Sequence, residues 1–189
     1  MEIQTKRLIL RPFRDADRLS YAQIFADPEV RRFSLGILDE KAANARLDRA
    51  IAEHDERGFG MLAVEDRHDG SLIGTLGLTG FGPALKAAIP SHPELQVAWQ
   101  LARRVWGAGL ATEGALAVLE HAWTAIGATE VVAITAAINE PSRRVMEKIG
   151  MHHVCADDFQ HPDIPLGDPL RPHVLYRVSD HHAEVRGGR

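Results

Sequence analysis

The residues with the clearest chemical potential form one short segment near the middle of the chain, Arg104-Val105-Trp106-Gly107-Ala108-Gly109-Leu110-Ala111-Thr112. Its two glycines let the backbone approach a ligand closely and adopt positive φ angles. A helical pattern begins directly after them, and a helix N-terminus leaves N–H groups unpaired at the positive end of its dipole. The segment therefore predicts a pyrophosphate site, to which Thr112 adds a hydroxyl and Arg104 a positive charge.

Other glycine-rich phosphate loops fit this segment less well. No Gly-Lys-Ser/Thr follows, which excludes a Walker loop. The third glycine of a dinucleotide fingerprint is absent, and no acidic residue ends a second strand about 20 residues further on. Two alternatives stay open. One is a strand-to-helix turn that needs glycine for its geometry alone, and the other is a nucleotide-binding regulatory domain.

The elements that must position this segment follow from the hydrophobic pattern and the turn residues. Before it, the pattern predicts a strand over residues 7–11 and helices over 15–26 and 39–57. A hairpin formed by residues 59–65 and 72–78, a loop over 80–93 and a strand over 94–101 follow. After it, the pattern predicts a helix over residues 110–126, a strand over 129–137 and a short helix over 141–149. Two last strands are predicted over residues 151–155 and 173–178.

This order predicts an α/β (α+β) fold. The hairpin strands are antiparallel, whereas residues 94–137 should form a right-handed parallel crossover. We expect one domain over residues 1–178, built on a twisted, mixed, mostly antiparallel sheet of about seven strands with helices on both faces. Residues 179–189, which end in Arg-Gly-Gly-Arg, are expected to form a flexible tail.

Composition narrows the class of protein. The chain has 189 residues, a hydrophobic fraction of 45% and a net charge of −4, which suits one globular domain and disfavours a nucleic-acid partner. The single cysteine, Cys155, excludes an internal disulfide and is expected in the core without a base partner. No apolar run approaches the roughly 20 residues of a membrane helix and the start lacks a signal core, so we expect a cytoplasmic protein without a membrane partner. The histidines lack metal-ligand spacing, so no metal is expected.

Four blocks, in this order along the chain, resemble one family. Residues 5–12 (Thr-Lys-Arg-Leu-Ile-Leu-Arg-Pro) and 73–78 resemble its opening and third strands. Trp99-Gln100-Leu101 with residues 104–113 resembles its coenzyme A loop, and residues 139–151 resemble the segment that follows its fifth strand. The family is the GNAT superfamily of N-acetyltransferases, in the branch of the ribosomal-protein N-terminal (alanine/serine) acetyltransferases. The resemblance covers residues 5–178.

The resemblance implies an acetyl-CoA-dependent acyltransferase in which an amine attacks the thioester directly, in a ternary complex. Strands four and five of the family fold splay apart and admit the pantetheine arm. That arm would bond to the backbone of Val97, Trp99 and Leu101, and the pyrophosphate would lie on the amides of residues 105–112. Asn139, Ser142 and Arg143 would line the far side of the arm.

The acid and base residues of the family are altered here. Gln96 stands where many relatives carry the glutamate base. Glu94 points to the same strand face and could substitute, although an exposed strand-end carboxylate is the alternative. Met146 replaces the usual tyrosine acid, which leaves Ser142 either as the acid or as a helix cap. An N–H near Val97 to Trp99 would receive the oxyanion.

The remaining expectations concern proton transfer and partners. His161 and His173 flank the proline-rich loop and could shuttle a proton, although lone histidines are usually structural. The acceptor is expected to be a protein N-terminus or a small-molecule amine, bound by the second helix with residues 80–93 and 156–172. A homodimer is an expectation from relatives. The alternative function is a catalytically weak acyl-CoA sensor or interaction module of the same fold.

Overall fold

A computed structural model of the chain describes residues 2–180. Contacts divide these residues into two compact units, each assembled from two stretches of chain. Unit 1 comprises the described residues up to Thr79 together with Ala98–Ala117. Unit 2 comprises Gly80–Val97 together with the described residues from Val118 onward. The strand and the helix that flank the glycine segment are therefore shared by both units.

Unit 1 is built on strands β1 to β4 with helices α1 to α3. In chain order these are β1 (Ile3–Gln4), β2 (Leu8–Arg11), α1 (Arg18–Ala26), α2 (Pro28–Arg31), α3 (Glu40–Arg57), β3 (Met61–Asp66) and β4 (Leu72–Thr79). The strands pair antiparallel in the order in which they occur. Helix α3 begins where the Asp39 side chain accepts from the Ala42 N–H and ends at Gly58 in the left-handed conformation. The buried core of unit 1 includes Phe13, Tyr21, Phe25 and Leu47.

Close backbone packing brings the glycine segment onto this unit. The Ala102 N–H, just after strand β5 (Gln96–Leu101), donates to Ile73 O at 2.8 Å. A Cβ built on Gly74 would lie 2.3 Å from Gln100 O, so only glycine allows this approach. A Cβ on Gly114 of helix α5 (Leu110–His121) would lie 2.8 Å from the Leu76 side chain. Gly74 and Gly114 therefore allow β5 and α5, the two elements that flank the glycine segment, to pack closely against β4.

Unit 2 is centred on a long antiparallel pair. Its elements are α4 (Pro83–Ala88), β6 (Glu130–Ala136), α6 (Glu140–Lys148), β7 (His152–His153), β8 (Phe159–Gln160) and β9 (Pro172–Ser179), with a π-helical turn at Ala122–Ile126. Strand β9 pairs with β6 from Glu130↔Ser179 to Ala136↔His173, and with β7 and β8. Strand β5 is parallel to β6 through the pair Gln96↔Val132.

The predicted fold class is confirmed: the sheet is open, mixed and mostly antiparallel, and helices flank it. The strand count is nine rather than about seven. The additional strands, β1 and β8, have two residues each, which is too short to produce an alternating pattern. The predicted loop 80–93 contains α4, which begins with Pro83 in its first turn. The predicted strand 151–155 is reduced to β7, because a 3-10 turn starts at Cys155.

Three further expectations concern the ends and the organisation of the chain. Residues 179 and 180 are described, and the Asp180 N–H donates to Thr129 O at 3.0 Å; the rest of the predicted tail lies outside the described residues. The separation of β5 and β6, and the treatment of residues 1–178 as one domain, stay predictions. Over residues 2–180, none of the helices combines the length and the apolar character needed to cross a bilayer.

Candidate active site

The glycine segment forms a tight turn between β5 and α5. Residues Arg103–Val105 make one turn of 3-10 helix, and Gly107 and Gly109 then both adopt a φ of 77°. A Cβ on Gly107 would meet nothing within 4 Å, so the backbone angle, and not crowding, requires glycine there. Helix α5 starts at Leu110, so the N–H groups of its first turn lie directly after the two glycines. This is the geometry that the pyrophosphate prediction requires.

Arg7 holds the glycine turn from outside the motif. Its Nη1 donates to Ala108 O at 2.9 Å, and its Nε donates to Glu113 Oε2 at 2.7 Å. The Arg7 N–H and the Thr5 hydroxyl both donate to Glu113 Oε1, at 2.8 and 2.6 Å. The carbonyl between the two glycines and the first turn of α5 are thus fastened to the start of β2. The resemblance had matched residues 5–12 only as a strand, and this role was missed.

Arg104 and Trp106 have partners within unit 1. Arg104 Nη2 donates to Leu72 O at 2.9 Å and approaches Ser71 Oγ at 3.4 Å. Its guanidinium thus fastens the turn to the start of β4, and a direct contact with pyrophosphate stays a prediction. Trp106 Nε1 donates to Leu101 O at 2.8 Å, which fixes the indole beside the turn.

Strand β5 carries the residues assigned to pantetheine and to the amine. Val97 and Leu101 are buried, and a contact between their backbone groups and a ligand stays a prediction. Gln96 Nε2 donates to Gly80 O at 3.3 Å, which orients the amide and leaves Oε1 to accept a hydrogen bond. Glu94 precedes the strand, its side chain is 85% exposed, and it forms an ion pair with Lys86. The exposed-carboxylate alternative thus describes the position of Glu94.

The start of α6 places a serine hydroxyl in a defined environment. Asn139 is the helix cap, because its Oδ1 accepts from the Ser142 N–H at 3.3 Å. Asn139 Nδ2 donates to Thr135 Oγ1 at 2.8 Å and to Ser142 Oγ at 3.1 Å. The capping function belongs to Asn139, and the Ser142 oxygen has an acceptor site filled. The Ser142 O–H is therefore available to donate.

Two other residues of this segment are fixed by their neighbours. Arg143 Nε donates to Tyr176 OH at 3.2 Å and its Nη1 donates to Ala137 O at 3.2 Å. The hydrogen bond with Tyr176 raises the pKa of Arg143 above its ordinary value. Met146, at the position where many relatives carry tyrosine, is buried and presents no donor. Arg143 is thus a fixed positive charge one residue beyond Ser142.

His161 and His173 lie together near the start of β9, with ring centroids 4.8 Å apart. Burial lowers the pKa of His173 to about 4 and also lowers that of His161. His161 Nδ1 accepts from the Asp163 N–H at 3.3 Å, so that nitrogen is already occupied. The His173 imidazole is therefore neutral at pH 7. Both rings lie against Phe159, at centroid distances of 6.4 Å for His161 and 5.4 Å for His173.

Cys155 does not lie in the core, contrary to expectation, and it has a base partner. The residue is exposed, and its Sγ lies 3.6 Å from His153 Nδ1. His153 Nε2 bonds to Asp158 Oδ1 at 2.8 Å, and its ring stacks on Tyr176 at 5.1 Å. The 3-10 turn that replaces the predicted strand brings the thiol outward. Sequence spacing could not show this, because alternation along a strand would have buried position 155.

Across residues 2–180, no group of three or more His, Cys, Asp or Glu side chains is arranged to hold a metal ion.

An open mixed sheet with a glycine turn at the start of α5 defines the class, which is the fold of an acyltransferase. The chain belongs to the acetyltransferase (GNAT) domain family, whose match spans residues 7–152. The protein is thus an acetyl-CoA-dependent acyltransferase, and the predicted family is confirmed.

Individual relatives agree with this assignment. The chain is 28% identical over 155 residues to the uncharacterized protein YkkB of Bacillus subtilis (strain 168), covering 80% of this chain and 86% of that one. It is 27% identical over 181 residues to the uncharacterized N-acetyltransferase YnaD of the same strain, covering 95% and 98%. An acetyltransferase structure from Agrobacterium tumefaciens str. C58 matches with a TM-score of 0.75 and 26% identity, covering 95% of each chain.

The fold is also that of the ribosomal-protein branch. RimL, a ribosomal L7/L12 alpha-N-protein acetyltransferase solved in complex with coenzyme A, matches with a TM-score of 0.75. The match covers 95% of this chain and 98% of RimL, at 16% identity, and it therefore concerns the fold alone.

Proposed function

We propose that the protein transfers the acetyl group of acetyl-CoA to a primary amine, on a protein N-terminus or a small molecule, by direct attack in a ternary complex. Acetyl transfer follows from the family. The observation that carries the mechanism is the hydrogen bond from Asn139 Nδ2 to Ser142 Oγ, at 3.1 Å. It leaves the serine O–H free to protonate a leaving group.

The coenzyme would be held mainly by backbone groups. In this proposal the amides of residues 105–112 bind the pyrophosphate, and the two positive φ angles at Gly107 and Gly109 aim them. The backbone of Val97, Trp99 and Leu101 bonds to the pantetheine arm. Asn139, Ser142 and Arg143 contact the coenzyme near its thioester end. Arg7 and Glu113 support the turn without touching the ligand.

Acetyl transfer needs few catalytic groups from the protein because a thioester is already reactive. The amine nitrogen forms a bond to the acetyl carbon, and an N–H of β5 between Val97 and Trp99 receives the oxyanion. The intermediate then breaks its C–S bond and gives amide and thiolate. Ser142 donates its proton to the thiolate and regains one from the amine nitrogen, so that the products are the acetylated amine and free coenzyme A.

Among residues 2–180 the candidate bases are poorly placed, and we propose that the amine binds already deprotonated. Glu94 is exposed and paired with Lys86. His173, with a pKa of about 4, is a weak proton acceptor at neutral pH. The amide Oε1 of Gln96 would accept a hydrogen bond from the neutral amine and orient its lone pair. The rate should then rise with pH toward the pKa of the amine itself.

The test is the pH dependence of Ser142→Ala, with Ser142→Thr as a variant that keeps the hydroxyl. With an acceptor found by thiol release over an amine panel, kcat of Ser142→Ala should fall about 100-fold at pH 7, the lower end of the usual range for a general acid. The deficit should shrink above about pH 8.5, where the thiolate leaves unaided. The affinity for acetyl-CoA should change little. An equal loss at every pH would contradict the proposed role of Ser142, and an amine panel without any thiol release would contradict the proposed function.

A further inference from the structure

Unit 1 buries two guanidinium groups, and they differ in what surrounds them. Arg11 is 5% exposed and donates to Asp17 Oδ2 and Oδ1 at 2.8 and 2.9 Å and to Glu65 Oε2 at 2.7 Å. The hydrogen bond with Asp17 is the main cause that raises the pKa of Arg11. This is how a protein normally buries a cation, because paired carboxylates replace the lost hydration.

Arg31 is 8% exposed but has only neutral partners. Its Nε donates to Gly36 O at 2.8 Å, and its Nη1 lies 3.3 Å from Gln100 Oε1. Within residues 2–180, no carboxylate lies within 4.0 Å of its guanidinium. A guanidinium carries five N–H donors in a planar fork, and the neutral acceptors use two of them.

Arg46 makes this burial less favourable. The guanidiniums of Arg31 and Arg46 lie over the same ring, Phe25, at 6.0 and 5.0 Å from its centroid. Burial, and next the charge of Arg46, lowers the pKa of Arg31 to about 10. Two like charges beside one ring, with no carboxylate paired to Arg31 in the described part of the chain, leave an electrostatic cost that an incoming anion would relieve.

The surroundings fix Arg31 in place, beside a loop that exposes apolar side chains. Gln100 Nε2 donates to Val30 O at 2.9 Å, so its Oε1 is turned toward Arg31. The loop that Arg31 holds through Gly36 exposes two large apolar side chains, Leu35 at 53% and Ile37 at 58%. The cation therefore lies against β5 at the base of an exposed apolar loop, an arrangement that suits an organic anion.

We propose that Arg31, with Arg46 beside it, binds a carboxylate of the acceptor, so that the favoured substrates are amines that also carry a carboxylate. This inference rests on the proposed function. The carboxylate could belong to a free amino acid or to an acidic side chain next to a peptide N-terminus. In either case a planar carboxylate matches the guanidinium fork.

The experiment uses matched acceptors that differ only in the charge. One arm compares amino acids with their carboxamides, and the other compares peptides with glutamate or glutamine at the second position. Wild type should favour the carboxylate member by about 10- to 100-fold in kcat/KM, the range of a hydrogen bond to a charged group. Arg31→Met should reduce the ratio to about one while sparing the neutral member. Arg49→Met, on the exposed face of the same helix as Arg46, should keep the ratio.

Three results would overturn the proposal: no preference in wild type, an equal loss for both members in Arg31→Met, or a raised Kd of acetyl-CoA in that variant. The last result would show that Arg31 binds an anionic group of the coenzyme and not a carboxylate of the acceptor. Should Arg31→Met fail to fold, Arg46→Gln tests the same ratio, which should fall toward one.

A binding assay separates this inference from the proposed function. At constant ionic strength, succinate should raise the melting temperature of wild type but not of Arg31→Met, and the neutral dimethyl succinate should raise neither. Succinate binding without acetylation of any amine would contradict the proposed function and leave the anion site standing. Acetylation with neither succinate binding nor a carboxylate preference would overturn the anion site alone.

Discussion

Arg7 and Glu113 are joined by two hydrogen bonds, from the backbone N–H to Oε1 at 2.8 Å and from Nε to Oε2 at 2.7 Å. The same guanidinium reaches the carbonyl of Ala108. Two residues outside the glycines thus contribute to where the glycine turn lies, together with Arg104. The glycines give the turn the backbone freedom it needs, while these contacts hold the turn in one position. A phosphate site made of backbone amides needs both properties.

We expect Arg7→Ala to weaken acetyl-CoA binding without unfolding the protein. The lost contacts are half exposed and contribute about 1 kcal/mol, so Kd should rise roughly fivefold by calorimetry. Arg67→Ala is the matched control. Arg67 donates to Thr5 O at 2.5 Å in the same segment but does not touch the turn. Equal effects of the two variants would show that Arg7 acts on the strand and not on the turn.

The fold could largely be predicted, because its longer elements carry strong local signals. Asp39 and Gly58 mark both ends of α3, and the β-branched run before Ala137 marks β6. The misses were short elements that local sequence hardly specifies. Strand β8, with two residues, exists because its partner β9 is already in place, and the π-helical turn at Ala122–Ile126 leaves no signal in helical spacing.

Gln96→Glu should change the pH–rate profile and leave the fold intact. In wild type the rate should follow the free-amine fraction. A carboxylate at position 96 should start the rise at lower pH and increase the neutral-pH rate. The measurement is kcat/KM against pH for wild type, Gln96→Glu and Glu94→Gln with one confirmed amine. Superimposable profiles for wild type and Gln96→Glu would show that position 96 does not lie at the reacting amine.

Cys155 should not carry the acetyl group, although His153 lies beside it. Direct attack needs no acetyl-enzyme, so Cys155→Ala should keep full activity. Intact-protein mass spectrometry after mixing with acetyl-CoA alone should detect no stoichiometric adduct. His153→Gln is the companion variant, because it removes the only base that contacts the thiol among the described residues. An adduct on Cys155 that disappears when amine is added would replace direct attack with a two-step reaction.

His173 should make the protein less stable in acid. Its folded pKa of about 4 lies below the ordinary value of 6.5, so the unfolded chain binds more protons between these values. The stabilisation is complete above pH 6.5 and is lost as pH falls toward 4, by at most about 3 kcal/mol. His173→Phe should flatten this part of the curve of melting temperature against pH. His152→Phe, at an exposed position, is the control. Parallel curves for wild type and His173→Phe would contradict the assignment.

The backbone geometry of the glycine turn could be predicted from the sequence, whereas the directions of the candidate side chains could not. The glycine residue type at positions 107 and 109 predicts the positive φ angles that are observed there. By contrast, the positive charge of Arg104 predicts a contact with phosphate, yet its guanidinium donates to Leu72 O. Strand alternation predicts that Glu94 shares the face of Gln96, but the strand begins only after Glu94. A side chain's direction depends on partners far away in sequence, and spacing alone does not contain that information.

The division of the chain into units bears on how the protein can be made. Each unit needs a second stretch that is synthesised after part of the other unit: Ala98–Ala117 completes unit 1 only after residues 80–97 have been translated. No single break in the chain can therefore release either unit whole. Strand β5 and helix α5 each begin in one unit and end in the other. On the ribosome, the contacts that complete either unit become available only after both of its stretches have been translated.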